Sequence, residues 1–155
     1  MRLEDIDITP YDTLLLDRDG VINRLRVNDY VKCPGELELL PEFMDIIERW
    51  SRHFSRIFVV TNQRGVGRGL MTEKDLAEVH DMMCREIAAR GGRIDRIYYC
   101  TATDPGAPRR KPQRGMFDEI LADYPATDPK KCLMVGDSDS DMEFARNCGI
   151  NAIKV

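Results

Sequence analysis

The 155-residue sequence contains no uninterrupted apolar run of membrane-spanning length, and its "MRLEDIDI" start has neither the basic nor the apolar region of a secretory leader. The first absence excludes a spanning helix and the second an export signal, so the protein reads as cytoplasmic. Positive charge is not in excess: 23 Lys and Arg face 27 Asp and Glu, for a formal charge of −4. That balance argues against a strong sequence-independent attraction to nucleic acid or an anionic membrane, while leaving room for a local basic pocket. There is also no C-x-x-C pair. Five scattered cysteines, Cys33, Cys84, Cys100, Cys132 and Cys148, suggest neither a disulfide framework nor a self-contained zinc site, and read as small buried hydrophobes. No internal repeat, low-complexity tract or linker divides the chain, and its length fits one domain over residues 1–155.

What is present alternates. "DTLLLD" (12–17), "RIFVVT" (56–61), "RIYYC" ending at Cys100, "CLMVG" ending at Gly136 and the closing "INAIKV" read as five strands. Between them, Phe43, Ile46, Ile47, Trp50 and Phe54 fall at helical spacing, as do Leu76, Val79, Met83 and Ile87. The second of these helices opens with a Thr72-x-x-Asp75 capping pattern and stops near Gly91-Gly92. Two more are expected from about Met116 to Asp123 and from about Ser140 to Asn147. Continuous apolar strands alternating with helices predict an α/β fold, a doubly wound Rossmann-like parallel sheet covered on both faces.

In such sheets the site lies beyond the carboxyl ends of the strands. Each end is chemically loaded: Asp17 and Asp19 after the first, Thr61, Asn62 and Gln63 after the second, Arg109, Arg110 and Lys111 after the third, and Asp137, Ser138, Asp139 and Asp141 after the fourth. This inventory suits phosphoryl transfer. Asp17 and Asp137 could hold a hard cation such as Mg²⁺, and a carboxylate can attack phosphorus when the metal and Lys111 screen the repulsion. Asp19 is placed to protonate a leaving oxygen and later to activate water. Alone, each feature has an ordinary explanation: D-x-D as a solvated turn, "GVGRG" as a flexible turn, "RRKPQR" as a solvated basic loop, "GDSDSD" as an acidic surface turn. Both histidines, His53 and His80, read as structural or surface residues. The joint occurrence of four polar sets, each at a strand end, is what points to a site.

"DRDGVIN", "VVTNQRGVGRG", "RRKPQRGMF" and "MVGDSDSDM" together resemble the four sequential motifs of haloacid-dehalogenase (HAD)-type phosphatases. The likeness spans essentially the whole chain and is closest to the branch holding D-glycero-D-manno-heptose 1,7-bisphosphate and histidinol-phosphate phosphatases. It implies Asp17 as nucleophile and Asp19 as general acid/base. Asp17, the backbone carbonyl of Asp19 and Asp137 would bind Mg²⁺, and Thr61 and Lys111 would hold the phosphoryl group. Asn62, Gln63 and Arg110 would approach the substrate, and Asp141 would orient the metal site or Lys111. Arg18 is expected to point elsewhere, since alternate strand residues face opposite sides.

The segments between motifs are too short for a cap domain, so "RLRVNDYV" (24–31) is expected to shape selectivity, with Arg24 and Arg26 able to meet a second phosphate. Many relatives carry a zinc-binding loop before the motif-three lysine. Here "TATDPGAP" supplies no histidine and Arg109 stands where the last cysteine would be, so no structural zinc is expected. The expectation is a monomeric Mg²⁺-dependent phosphatase acting on a small-molecule sugar phosphate, the C7 phosphate of a heptose 1,7-bisphosphate. Histidinol phosphate, a polynucleotide 3′-phosphate and a non-catalytic phospho-acceptor or binding module are the rivals.

Overall fold

The computed structural model describes residues 1–155. Five parallel strands, β1 (Thr13–Leu16), β2 (Arg56–Asn62), β3 (Arg96–Cys100), β4 (Cys132–Gly136) and β5 (Asn151–Lys154), form one sheet in the order β3-β2-β1-β4-β5. The helices are α1 (Pro41–His53), α2 (Arg64–Gly67), α3 (Glu73–Ala89), α4 (Gly115–Asp123) and α5 (Asp139–Cys148). The strand order reverses beside β1, which places the crevice of a doubly wound sheet at the end of that strand.

Strand alternation sorts the core into two layers. Leu14 and Leu16 of β1, in register with Ile57 and Val59 of β2 and Leu133 and Val135 of β4, face Phe43, Ile47 and Trp50 of α1 and Met83 and Ile87 of α3. Leu15, Phe58, Val60 and Met134 face the other way, onto Met116 and Phe117 of α4 and Phe144 of α5. All four residues of β1 are buried, which is why "TLLL" reads as a continuous apolar run rather than an alternating one. Truncating a side chain such as Leu15 to Ala would cost about 2–5 kcal/mol.

The expected elements are present with ends shifted by a residue or two. The exception is α2, a single helical turn where "GVGRG" suggested a flexible turn. Thr72 and Asp75 form the expected capping box of α3, and Ser138 and Asp141 form a second at the start of α5. No helix is long and apolar enough to cross a membrane.

Candidate active site

The four loaded strand ends meet. Asp17 directly follows β1, Thr61 and Asn62 end β2, Asp137 follows β4, and the long loop after β3 returns Lys111 to the crevice. Gly20, at φ +89°, allows the closest approach: an added Cβ would fall 1.8 Å from Oδ2 of Asp137. The glycine thus draws the turn after β1 against the turn after β4.

Asp17, Asp137 and Asp141 each bring a carboxylate oxygen within 4.8 Å of the other two. The buried Lys111 Nζ donates to Asp17 Oδ1 at 3.1 Å and to Asp141 Oδ1 at 2.7 Å. Asp141 has little left to offer, because its Oδ2 accepts from the Ser138 hydroxyl at 2.9 Å and from the Asp137 and Ser138 backbone N–H groups at 3.2 and 3.3 Å. Its contact with Lys111, through Oδ1, is direct. Burial works against its charge, but Lys111 and these hydrogen bonds hold its carboxyl below the ordinary range.

One lysine among three acids leaves the cluster short of positive charge. Burial, with Asp141 and Asp19 adding repulsion, pushes Asp17 well above the usual carboxylate range despite Lys111. Burial and Asp141 push Asp137 the same way, and neither salt bridge of Lys111 reaches it. An all-oxygen, under-compensated donor set fits a hard divalent cation such as Mg²⁺, with Asp17 and Asp137 the acids available to hold it.

Asp19 sits in a different environment. Its Oδ1 accepts from Arg18 Nη2 at 2.9 Å and from Asn23 Nδ2 at 3.0 Å, and its Oδ2 from Gln63 Nε2 at 2.9 Å. Burial opposes its charge, yet the positive charge of Arg18 and the hydrogen bonds from Asn23, Arg18 and Gln63 outweigh it and lower the pKa. The expectation that Arg18 points away is wrong. The chain leaves the strand after Leu16, and Val21, Ile22 and Asn23 all donate backbone N–H groups to the Arg18 carbonyl, so strand alternation no longer applies. Arg18 is fully buried.

The crevice, about 780 Å³, is lined mainly by polar residues, among them Asp17, Asp19, Lys111 and Asp137. Asn62 and Gln63 border it, but their amides are largely committed. Asn62 clamps the Lys111 backbone through Nδ2 to the carbonyl at 3.1 Å and Oδ1 from the N–H at 3.0 Å. Gln63 bridges Asp19 and the Thr61 hydroxyl, the latter at 2.9 Å. Thr61 itself is fully buried. Arg110 lines the crevice, its Nη1 donating to the Thr103 carbonyl at 2.6 Å. Arg24 is a correction: it pairs with Glu38 on the exposed surface and does not line the crevice. Arg26 does, while paired with Glu36 and Asp29. The cations that sequence reading missed are Arg64 and Arg68, supplied by the α2 turn and the residue after it, with Arg68 over the Tyr30 ring at 6.0 Å.

The loop around Lys111 is tied by protein groups. Gly115 donates to the Pro108 carbonyl at 2.8 Å, Asn147 to the Pro112 carbonyl at 2.8 Å, and Arg109 pairs with Glu119.

A lysine–carboxylate cluster at the switch point of a parallel sheet suits phosphoryl transfer, the chemistry of an α/β phosphohydrolase. The HAD-hydrolase-like family model matches residues 108–155. D-glycero-alpha-D-manno-heptose-1,7-bisphosphate 7-phosphatase of Mycobacterium tuberculosis is 38% identical over 135 residues, covering 86% of this chain and 71% of that protein. The corresponding beta-heptose enzyme of Bordetella bronchiseptica is 36% identical over 137 residues, 88% of this chain and 75% of that one. Among solved structures, D,D-heptose 1,7-bisphosphate phosphatase from B. bronchiseptica, complexed with magnesium and phosphate, superposes with a TM-score of 0.85 at 35% identity, covering 91% of this chain and 78% of that one. The chain belongs to the HAD-type phosphatases, in the group that contains these heptose bisphosphate phosphatases.

Proposed function

We propose that this HAD phosphatase removes the C7 phosphate of a D-glycero-D-manno-heptose 1,7-bisphosphate. The observation that carries the mechanism is the pairing of Asp17 with Lys111 beside an Asp19 whose carboxylate is held by three donors.

A carboxylate oxygen of Asp17 attacks phosphorus while the bond to the sugar oxygen breaks. Asp19 gives that oxygen a proton, releasing the alcohol and leaving an aspartyl-phosphate. Asp19 then takes a proton from water as the water oxygen attacks the phosphorus, which frees inorganic phosphate and restores the Asp17 carboxylate. The donors around Asp19 favour its ionised form, suited to this second half; an anionic phosphate beside it raises its proton affinity for the first. Lys111 holds the phosphoryl oxygens and Thr61 orients them, while Asp141 keeps Lys111 in place. Asp17, Asp137 and the Asp19 backbone carbonyl would hold Mg²⁺, which when bound neutralises charge on the phosphoryl group. Arg64, Arg68 and Arg110, at the mouth of the crevice, suit a second anionic group on the substrate.

The test is Mg²⁺-dependent phosphate release from both anomers of heptose 1,7-bisphosphate, histidinol phosphate and a 3′-phosphorylated oligonucleotide. A clear preference in kcat/KM for one heptose anomer is expected. Higher efficiency on either of the other esters overturns the substrate assignment.

A further inference from the structure

The buried face of α3 carries Leu76, Val79, Met83 and Ile87, and one polar residue among them, His80. An apolar side chain there would bury as readily, so the imidazole has to be explained by what it touches. Its Nε2 lies 3.1 Å from Nη1 of Arg18, sixty-two residues away in sequence. Arginine has donors only, so His80 Nε2 must be the acceptor and the ring proton sits on Nδ1. Burial, reinforced by the Arg18 charge, keeps the ring neutral. Beyond Arg18, the ring faces Tyr99, with centroids 6.2 Å apart.

Arg18 has few alternatives. Its guanidinium is fully buried, Nη2 is on Asp19 Oδ1, Nη1 is on His80, and Nε has no partner. Without the imidazole only the Asp19 hydrogen bond would remain on the guanidinium. A buried cation with one hydrogen bond can turn about it, and any such turn moves one of the two hydrogen bonds on Asp19 Oδ1.

We propose that His80 is a positioning residue for the acid/base step: by fixing Arg18 from α3, it sets the direction of the Asp19 carboxylate. The inference rests on the role assigned to Asp19 above. His80 touches no reacting atom and acts only through Arg18.

The experiment compares kcat and KM of the full-length wild type, His80→Leu and His80→Gln with the best ester from the substrate panel. Leucine removes the acceptor, whereas glutamine restores one through its amide oxygen. For His80→Leu, kcat is expected to fall about 10- to 100-fold with KM changed less than about threefold, and His80→Gln to recover kcat to within about threefold of wild type. His80→Ile is made in parallel so that a leucine variant that does not fold leaves an acceptor-free protein to measure. Unchanged kcat in the acceptor-free variant overturns the inference, as does a loss carried by KM or one that glutamine does not recover. A wild type inactive on every ester would instead refute the reading of the site itself.

Discussion

Asp17 and Asp19 are two residues apart, each partly buried beside a cation, yet their proton affinities move in opposite directions. Around Asp17 a single lysine is shared with Asp141 while Asp137 stands close by, so negative charge exceeds positive. Around Asp19 an arginine and two amides supply one donor after another, and no second acid shares them. The first half of the site is a charge deficit that a divalent cation and a phosphoryl group can use. The second is a satisfied network that holds one carboxylate in one orientation. A nucleophile that must meet a metal and an acid/base that must face a leaving oxygen need these different surroundings, and the turn between them provides both within three residues.

The comparison is broken most severely at Asp17. Asp17→Asn removes the attacking oxygen and is expected to lower kcat by about 10⁴-fold or more, with no aspartyl-phosphate trapped on acid quenching. Asp19→Asn should cost about 10²- to 10⁴-fold in kcat while leaving Mg²⁺ affinity, measured calorimetrically, close to wild type. Lost Mg²⁺ binding in that variant would mean that the two halves are not separable.

The cations at the crevice mouth sharpen the contrast between chemistry and recognition. Arg64→Ala combined with Arg68→Ala is expected to raise KM for a sugar bisphosphate about tenfold, worth about 1.4 kcal/mol, with kcat little changed. The same variant should treat a monophosphate ester like the wild type.

The smallest effect concerns the satisfied network and acid. Burial first, then the charge of Arg18, lowers the His80 pKa from 6.5 to about 3. An unfolded chain takes up a proton on this ring as pH falls below about 6.5, and the folded protein does not until about pH 3. Between those values the unfolded state binds the extra proton, so stability is lost as pH falls. From pH 6 to pH 5 the wild type should lose about 1 kcal/mol more than His80→Gln in urea unfolding. Equal losses would show that the imidazole is not held neutral.

Much of this was legible in the chain. "TLLL", "IFVV" and "CLMV" announce strands buried on both faces, and the clustering of Asp17, Thr61, Lys111 and Asp137 at the carboxyl end of the sheet follows from the rule that parallel sheets place their sites there. Arg18 was misread because period-two alternation was extended two residues past the strand, into a turn closed on the Arg18 carbonyl. Arg24 was misread because its neutralising partner, Glu38, is fourteen residues downstream and looks like any other surface acid. Arg64 and Arg68 were overlooked because glycines suggested a flexible turn where the backbone makes a helical one.

The sequence by itself determined the element order, the two apolar layers, the acids and lysine at the strand ends and, through its four motifs, the class of enzyme. These depend on local pattern and on which residue types stand at fixed distances from a strand. Only the tertiary structure decided which cations are neutralised, which acid is left short of charge, and that His80 of α3 reaches the Arg18 side chain. Those outcomes depend on distances between segments far apart in the chain, where a few ångströms separate a paired charge from an unpaired one.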